Sequence, residues 1–304
     1  MEIPDFDRNN ALLVIGNGFD LDLGLKTSYR DFASNELCEG EGRFPFVRGG
    51  RNGMLGEYIF QATANINKWF DLENILAEFG YQNSILSSRE IGSIREDYQS
   101  LKHALQQYLK SIDVSASNNE SSAGKIIKAL ACFTIMPPEV YTFNYTNFSR
   151  ICESLNVCGF GRENYVHGSL DDDIVFGVGD SFSLSRDLSF LYKTNNPAYQ
   201  SSHLQNALET SDVVMIFGLS LSEIDYTYFE DFFRHVSEGK FIKRKYIRIF
   251  TCDEISKRDI MYNLRQMNKG LIKLFSYSDF DIVMTKESSD QKKMDEVIEF
   301  LSKN

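Results

Sequence analysis

The most informative segment of the chain is Ala11-Leu-Leu-Val-Ile-Gly-Asn-Gly18. Five apolar residues, two of them β-branched, lead directly into two glycines that are separated by one residue. A short apolar run of this kind is typical of a strand that is buried on both faces of a parallel sheet. The glycines allow the backbone to turn tightly and to point amide groups at an anion near a helix N-terminus. The segment therefore predicts a first central strand that ends in an anion-binding turn or in a plain turn.

Similar apolar runs recur along the chain and are mostly separated by helical patterns. They predict strands at 139–143, 173–176, 212–217 and 246–251, and a weaker strand at 271–275. Strands that alternate with helices are the pattern of a doubly wound, mostly parallel α/β sheet. The dinucleotide fingerprint G-x-G-x-x-G would need a third glycine where this chain has Leu21. An ordinary Rossmann dehydrogenase is therefore not expected.

More than 110 residues separate the first two predicted strands. This connection is too long for one crossover helix, so we expect an inserted subdomain, and apolar residues at helical spacing make it helical. The predicted division is an α/β domain of residues 1–36 and 131–304 with a helical insertion at 37–130. The glycine-rich stretch 39–53 carries three arginines and is either a lid over a bound diphosphate or a solvated loop. A second stretch, 180–202, is also expected to be mobile.

The composition is that of a folded, acidic protein. The 304 residues include 32 Lys plus Arg against 43 Asp plus Glu, which gives a net charge of −11, and 42% of them are hydrophobic. Nucleic acid is therefore not expected as a main partner. The acidic start and the lack of a long apolar run predict a cytoplasmic protein with no membrane partner. Five widely spaced cysteines predict reduced thiols, and no metal site is expected.

Two polar residues lie where the predicted strands end, which is the edge at which open α/β sheets bind ligands. Asn144 follows the strand at 139–143 and can both donate and accept hydrogen bonds, although it could equally cap the next helix. His167 precedes a glycine and is the best placed of the four histidines for a general base. The alternative for His167 is a structural role.

Small and charged residues complete the set of candidates. Gly218, Ser220 and Ser222 follow the strand at 212–217, where a hydroxyl could bind a phosphate or cap a helix. Glu73 shares a helical face with apolar residues, so its carboxylate needs a partner: a backbone amide, an arginine or a ligand.

The order of these motifs resembles the sirtuin-like NAD-binding fold, a variant of the Rossmann fold. Its first motif reads G-A-G-x-S, with a further glycine eight residues after the first, as Gly16 and Gly24 are here. Its second motif reads T-x-N-x-D, and its third reads H-G. The resemblance implies NAD as the ligand and catalytic roles for Asn144 and His167. It also implies that the cofactor is bound by Gly16, Asn17, Gly18, Asp20, Thr146, Gly218 and Ser220.

A closer resemblance, from about residue 11 to 232, is to the bacterial abortive-infection AbiH family. The segments that carry it are Ile15-Gly-Asn-Gly-Phe-Asp-Leu21, Gly24-Leu-Lys-Thr-Ser-Tyr29, Trp69-Phe-Asp-Leu-Glu73, Thr142-Phe-Asn-Tyr-Thr146, His167-Gly-Ser169, Phe176-Gly177 and Gly218-Leu-Ser-Leu221. This resemblance implies a role in phage defence, with a phage-derived trigger and a homo-oligomer as expected partners.

Two positions depart from the sirtuin pattern. Thr146 stands where the second motif has a carboxylate, and Asp20 stands where the first motif has a small hydroxyl residue. A carboxylate at position 20 would repel a nearby pyrophosphate unless it binds ribose hydroxyls or a cation. Because paired zinc cysteines are also missing, protein deacylation is disfavoured. The favoured activity is hydrolysis of NAD to nicotinamide and ADP-ribose, and the alternatives are a non-catalytic nucleotide sensor and an ADP-ribosyl transferase.

Overall fold

The computed structural model describes residues 6, 10–38, 53–62, 72–83, 85–132, 137–158, 160–199, 202–268 and 272–302. The chain divides into two units. Unit 1 contains Met1–Leu25, Val114–Val166 and Gln200–Asn304, and unit 2 contains Lys26–Asp113 and His167–Tyr199. The predicted insertion at 37–130 stays a prediction, because 39–52 and 63–71 lie outside the described residues.

Unit 1 is built on a parallel sheet. Within the described residues its strands are β1 (Ala11–Ile15), β2 (Glu139–Thr142), β3 (Glu163–Tyr165), β4 (Val213–Phe217), β5 (Lys245–Thr251) and β6 (Ser278–Met284). They pair in parallel in the order β3-β2-β1-β4-β5-β6. This is the order of a doubly wound sheet, in which the direction of winding reverses between β1 and β4. The predicted α/β fold class is confirmed.

The two central strands explain why the first segment of the sequence was so informative. Every residue of β1 and β4 is buried. Their register pairs Ile15 with Phe217, so both strands end level with each other at one edge of the sheet. On the other side of β1, Ile15 pairs with Thr142 at the end of β2. The residues that follow these three strands therefore lie at the same edge.

The helices of unit 1 connect the strands. They are α1 (Asn17–Asp22), α6 (Ser122–Ala131), α7 (Phe148–Ser154), α8 (Ser202–Thr210), α9 (Tyr226–Ser237), α10 (Glu254–Asn268), α11 (Ile272–Tyr277) and α12 (Gln291–Ser302). Side-chain caps begin three of them: Ser121 accepts from the N–H of Gly124 in α6, Asn147 accepts from the N–H of Arg150 in α7, and Asp253 accepts from the N–H of Ser256 in α10. Asn144 is therefore not the cap of the helix that follows β2.

Two of the predicted strands are wrong. Residues 272–275 of the run at 271–275 belong to helix α11, in which Leu274 is buried and Phe275 is exposed. A short apolar run cannot be assigned to strand or helix by periodicity alone. The run at 173–176 forms only an isolated antiparallel bridge, between Ile174 and Gly168. Strands β3 and β6 lie outside the ranges that the sequence predicted.

Unit 2 is helical in its first part and forms short 3-10 turns in its second. Its helices are α2 (Tyr29–Cys38), α3 (Met54–Ala62), α4 (Leu72–Gln82) and α5 (Ser88–Lys110), and its turns are Arg186–Leu191 and Lys193–Asn195. A capping box of Ser87 and Glu90 begins α5. The stretch predicted to be mobile at 180–202 is thus largely hydrogen-bonded structure up to residue 199. Within the described residues, no helix combines the length and apolar character needed to cross a membrane.

Candidate functional site

The glycine turn after β1 packs directly against the turn after β4. The N–H of Gly16 donates to the carbonyl of Phe217 at 2.9 Å, and the N–H of Gly18 donates to the carbonyl of Gly218 at 3.0 Å. A Cβ on Gly18 would lie 2.6 Å from the Cα of Gly218, so no larger residue fits there. Gly218 itself has φ +70, which also favours glycine. The glycines serve the close approach of two strand ends.

This packing changes the role expected for the turn. The amides of Gly16 and Gly18 are donated to backbone carbonyls, so in this conformation they are not directed at a diphosphate. Asn17 begins the six-residue helix α1, and its side chain is exposed. The turn therefore shapes the sheet edge rather than presenting the set of amides that the sequence predicted.

Three of the predicted site residues form one buried network. The Asn144 side chain donates through Nδ2 to Asp20 Oδ1 at 2.8 Å and to the carbonyl of Gly16 at 3.0 Å. The Thr146 hydroxyl donates to Asp20 Oδ2 at 2.8 Å. Asp20 is fully buried, and Asn144 and Thr146 are nearly so. The network ties helix α1 to the segment that follows β2.

Burial sets the ionisation of Asp20. Removal from water disfavours the carboxylate and raises the pKa of Asp20 from 3.8 to about 7, although the hydrogen bonds from Thr146 and Asn144 oppose the rise. Because this pKa lies close to neutral pH, protonated and ionised forms of Asp20 coexist there. Asp20 therefore acts inside the protein, as the acceptor that orients Asn144 and Thr146.

The two departures from the sirtuin pattern turn out to be partners. The sequence has a carboxylate at 20 in place of a hydroxyl, and a hydroxyl at 146 in place of a carboxylate. Since Asp20 and Thr146 are hydrogen-bonded to each other, one carboxylate and one hydroxyl still meet at this point. Relative to that pattern, the carboxylate and the hydroxyl have exchanged places.

A crevice of about 260 Å³ opens at the carboxyl ends of β4, β5 and β6. Leu21, Leu219 and Ile260 give it apolar walls, and Ser220, Cys252 and Asp259 are among its polar residues. The remaining lining residues are Gly18, Asp22, Phe217, Gly218, Thr251, Ser256, Thr285 and Lys286. The crevice thus lies at the ligand-binding edge, beside the point where the sheet reverses its winding.

The structure separates the two serines that follow β4. Ser220 lines the crevice. Ser222 begins a 3-10 turn, and its N–H donates to the carboxylate of Asp225 at 3.2 Å, so capping accounts for it. Leu221 between them is buried with φ +50, a rare conformation for a leucine, and this marks a loop held firmly by its surroundings.

Sequence reasoning missed several residues of the crevice. Cys252 directly follows the predicted strand at 246–251, so the same argument that selected Asn144 could have selected it. Its thiol lies 3.2 Å from the Ser256 hydroxyl. Lys286 follows β6, and it was missed because that strand was not predicted.

A second cleft of unit 1, of about 280 Å³, lies at the opposite edge of the sheet. Asn10, Glu139, Arg162 and Asn164 are among its lining residues, and they lie at or near the amino ends of β1, β2 and β3. Ligands of open α/β sheets bind at the carboxyl ends instead. The crevice beside Gly218 is therefore the candidate site.

His167 belongs to unit 2, where a tight reversal of the chain holds it. Its carbonyl accepts from the N–H of Val175 at 2.7 Å. The next residue, Gly168, has φ +70, and a Cβ there would lie 2.0 Å from the carbonyl oxygen of Asp173, so only glycine fits. Burial lowers the pKa of His167 well below 6.5, and the positive charge of Lys193 lowers it further. The imidazole is therefore neutral at pH 7.

Glu73 has a partner, as expected, but that partner is a lysine and not the backbone amide, arginine or ligand that the sequence suggested. The Nζ of Lys193 lies 2.8 Å from its Oε2, and both side chains are largely buried. Sequence reasoning missed Lys193, because the stretch around it was expected to be mobile. The predicted arginine lid at 39–53 lies almost wholly outside the described residues. Among the residues that the structure describes, no cluster of three or more metal-ligand side chains occurs.

The fold and the crevice define a doubly wound α/β protein with a ligand crevice beside its switch point. The chain belongs to the bacteriophage abortive infection AbiH family, whose model matches residues 12–243. Membership in this family indicates a role in abortive infection by phage. No curated protein matches the chain in sequence.

Proposed function

We propose that this AbiH protein hydrolyses NAD to nicotinamide and ADP-ribose. The observation that carries the proposal is the crevice at the carboxyl edge of β4, β5 and β6, with Gly18, Gly218 and Ser220 in its wall. Its apolar walls suit the flat face of a nucleobase. The Ser220 hydroxyl and the Lys286 ammonium are the groups that we assign to the hydroxyl and phosphate oxygens of the nucleotide.

In this proposal Asn144 acts only as a hydrogen-bond acceptor, although an asparagine side chain can also donate. Both protons of its amide are donated within the protein, to Asp20 and to the carbonyl of Gly16. Its side-chain oxygen is therefore what it offers, as an acceptor for a ribose hydroxyl or for the attacking water. The hydrogen bonds to Asp20 hold that oxygen in one orientation. Such positioning contributes much of the rate acceleration in reactions of this kind.

The reaction needs one base and no metal in the proposed scheme. The bond between ribose C1′ and the nicotinamide nitrogen breaks, and its electron pair neutralises the positively charged ring. Water then attacks C1′ and gives up a proton to the neutral imidazole of His167, which leaves ADP-ribose. His167 fits this step because burial keeps its ring uncharged and able to accept a proton.

The test is to incubate the purified protein with NAD and to measure free nicotinamide. The parent protein should release it, and His167→Ala and Asn144→Ala should each lower the rate by about 10²-fold or more. Two exposed residues of the same types provide controls, because His103→Ala and Asn206→Ala should keep the parent rate. Equal rates for His167→Ala and His103→Ala would overturn the assignment of the base.

A second candidate function is a nucleotide sensor that performs no chemistry. It is favoured by the engagement of the Gly16 and Gly18 amides in backbone hydrogen bonds, which leaves a shaped crevice without an anion-binding turn. The thiol of Cys252 is half-buried in the wall of the crevice, so its reactivity can be used to detect nucleotide binding. NAD should slow its alkylation by N-ethylmaleimide, whereas exposed Cys132 should react as before. Protection of Cys252 with no release of nicotinamide would select the sensor over the enzyme.

A further inference from the structure

One short segment of unit 2, residues 174–178, fixes two polar residues through backbone hydrogen bonds. At one position, the N–H of Val175 donates to the carbonyl of His167 at 2.7 Å. Three residues further on, the carbonyl of Val178 accepts from the N–H of Lys193 at 3.0 Å. His167 and Lys193 are therefore held by the same stretch of backbone.

The position of Lys193 is fixed further by a close approach of backbone. The N–H of Val178 donates to the carbonyl of Leu191 at 2.7 Å. Gly177, just before it, has φ +152, and a Cβ there would lie 2.2 Å from the carbonyl oxygen of Leu191. Because only glycine allows this approach, the sequence commits the chain to a turn that buries Lys193, whose exposed fraction is 4%.

Lys193 is buried together with a counter-charge. Its Nζ lies 2.8 Å from Oε2 of Glu73, and the hydroxyl of Tyr29 lies 3.5 Å from the other carboxylate oxygen. The ring of Tyr29 packs edge-on against Phe176, which belongs to the same segment 174–178. Since desolvation cancels most of the attraction within a buried ion pair, stability is a poor reason for placing one here. The pair therefore suggests a role other than stability.

The groups around the ring of His167 indicate a role for Lys193. Burial is the main cause of the lowered pKa of His167, and the positive charge of Lys193 is the second cause. The ring of Tyr199 lies nearly parallel to the imidazole, with centroids 6.5 Å apart. Within the described residues, the titratable groups around segment 174–178 are Glu73, Tyr29, Tyr98 and Tyr199. The ion pair of Lys102 and Asp173 borders the same segment.

We propose that Lys193 is a positioning residue for His167, and that Glu73 holds Lys193 in place. The proposal rests on the proposed function, in which His167 is the general base. A fixed positive charge near the ring disfavours the imidazolium. The imidazole therefore begins the reaction uncharged and readily passes on the proton that it takes from water. Glu73 supplies the counter-charge that holds the Lys193 side chain where it lies.

The experiment is an NMR titration of the histidine rings in the full-length protein, with His167 assigned by comparison with His167→Gln. In the parent protein His167 should not titrate near its usual pH. Lys193→Met should raise the pKa of His167, because it removes the positive charge that lowers it. Lys193→Gln removes the same charge but keeps a donor to Glu73, so it repeats the test if Lys193→Met does not fold. Lys193→Arg should restore the parent titration.

The matched control is Lys102→Met, which removes another largely buried lysine of unit 2, paired with Asp173. It should leave the titration of His167 unchanged. An unchanged titration in both Lys193→Met and Lys193→Gln, or the same change in Lys102→Met, would overturn the proposal. In the pH profile of nicotinamide release, the acidic limb should move to higher pH in Lys193→Met. If no nicotinamide is released, the proposed function fails, while the titration still decides the role of Lys193.

Discussion

The substitution Asp20→Asn tests the buried network at the sheet edge. Burial raises the pKa of Asp20 from 3.8 to about 7. Because the folded protein then binds more protons than the unfolded chain between about pH 4 and pH 7, this group destabilises the fold as the pH rises through that window. Each pKa unit corresponds to about 1.4 kcal/mol. The ionised carboxylate therefore costs about 4 kcal/mol of unfolding free energy above pH 7.

Asparagine keeps the network and removes the titration. Its oxygen can accept from Asn144, and its amide can donate to the hydroxyl of Thr146. We expect Asp20→Asn to be close to the parent in stability at pH 5 and more stable than the parent at pH 8. Urea unfolding followed by circular dichroism at pH 5, 6, 7 and 8 measures the difference, which should grow with pH.

Asp253→Asn is the control for the same chemical change. The N–H of Ser256 donates to the carboxylate of this half-buried residue and lowers its pKa, so Asp253 stays ionised in both states from pH 5 to pH 8. Its substitution should change stability by an amount that does not vary over that range. If the difference between Asp20→Asn and the parent is equally flat, the assignment of a raised pKa to Asp20 is refuted.

Three further predictions concern the same unit. Asn144→Ala should lower the free energy of unfolding by about 1–3 kcal/mol in urea titrations at pH 7, because it removes a donor from buried Asp20. Gly18→Ala should impair folding far more than Gly24→Ala in thermal melts: a Cβ at 18 would lie 2.6 Å from Gly218, whereas Gly24 has only a positive φ and open space around it. Burial lowers the pKa of Lys245 to about 8, so the unfolded chain binds more protons from about pH 8 to 10.5. The parent should therefore gain thermal stability relative to Lys245→Met between pH 7.5 and 9.5.

The centre of the sheet could be predicted because its strands are buried on both faces. β1 and β4 are continuous apolar runs, and every residue in them is buried. β5 is nearly so, with Arg248 as the half-buried exception. In such strands the apolar pattern and the structure are set by the same requirement, which is the absence of water on either face.

The edge of the sheet could not be predicted in this way. Strand β6 carries Asp279 and Asp281 at alternate positions, and these carboxylates pair with Arg248 and Lys293 at 2.8 Å. Its first residues alternate between buried and half-buried, because successive side chains of a strand point to opposite faces of the sheet. Apolar runs favour the neighbouring stretch at 271–275 instead, and residues 272–275 of that stretch are helical.

The candidate functional residues differ in the same way in how far the sequence predicts them. Residues that follow buried strands, such as Asn144 and Ser220, could be found from the sequence because their positions depend on local chain direction. Lys193 could not be found, since its place depends on hydrogen bonds to Val178 and on an ion pair with Glu73, 120 residues away in the sequence. Contacts of that kind leave no periodic signal.

The exchange between Asp20 and Thr146 bears on how an anionic nucleotide could bind here. The sequence raised the objection that a carboxylate at position 20 would repel a pyrophosphate. Full burial of Asp20 weakens this objection, because with a pKa of about 7 its carboxyl group is uncharged in a substantial fraction of the protein molecules at neutral pH. A diphosphate bound nearby would disfavour the ionised form still further. Under the proposed function, Asp20 thus orients Asn144 through hydrogen bonds. Burial disfavours its ionised form, and this weakens the repulsion between Asp20 and a bound diphosphate.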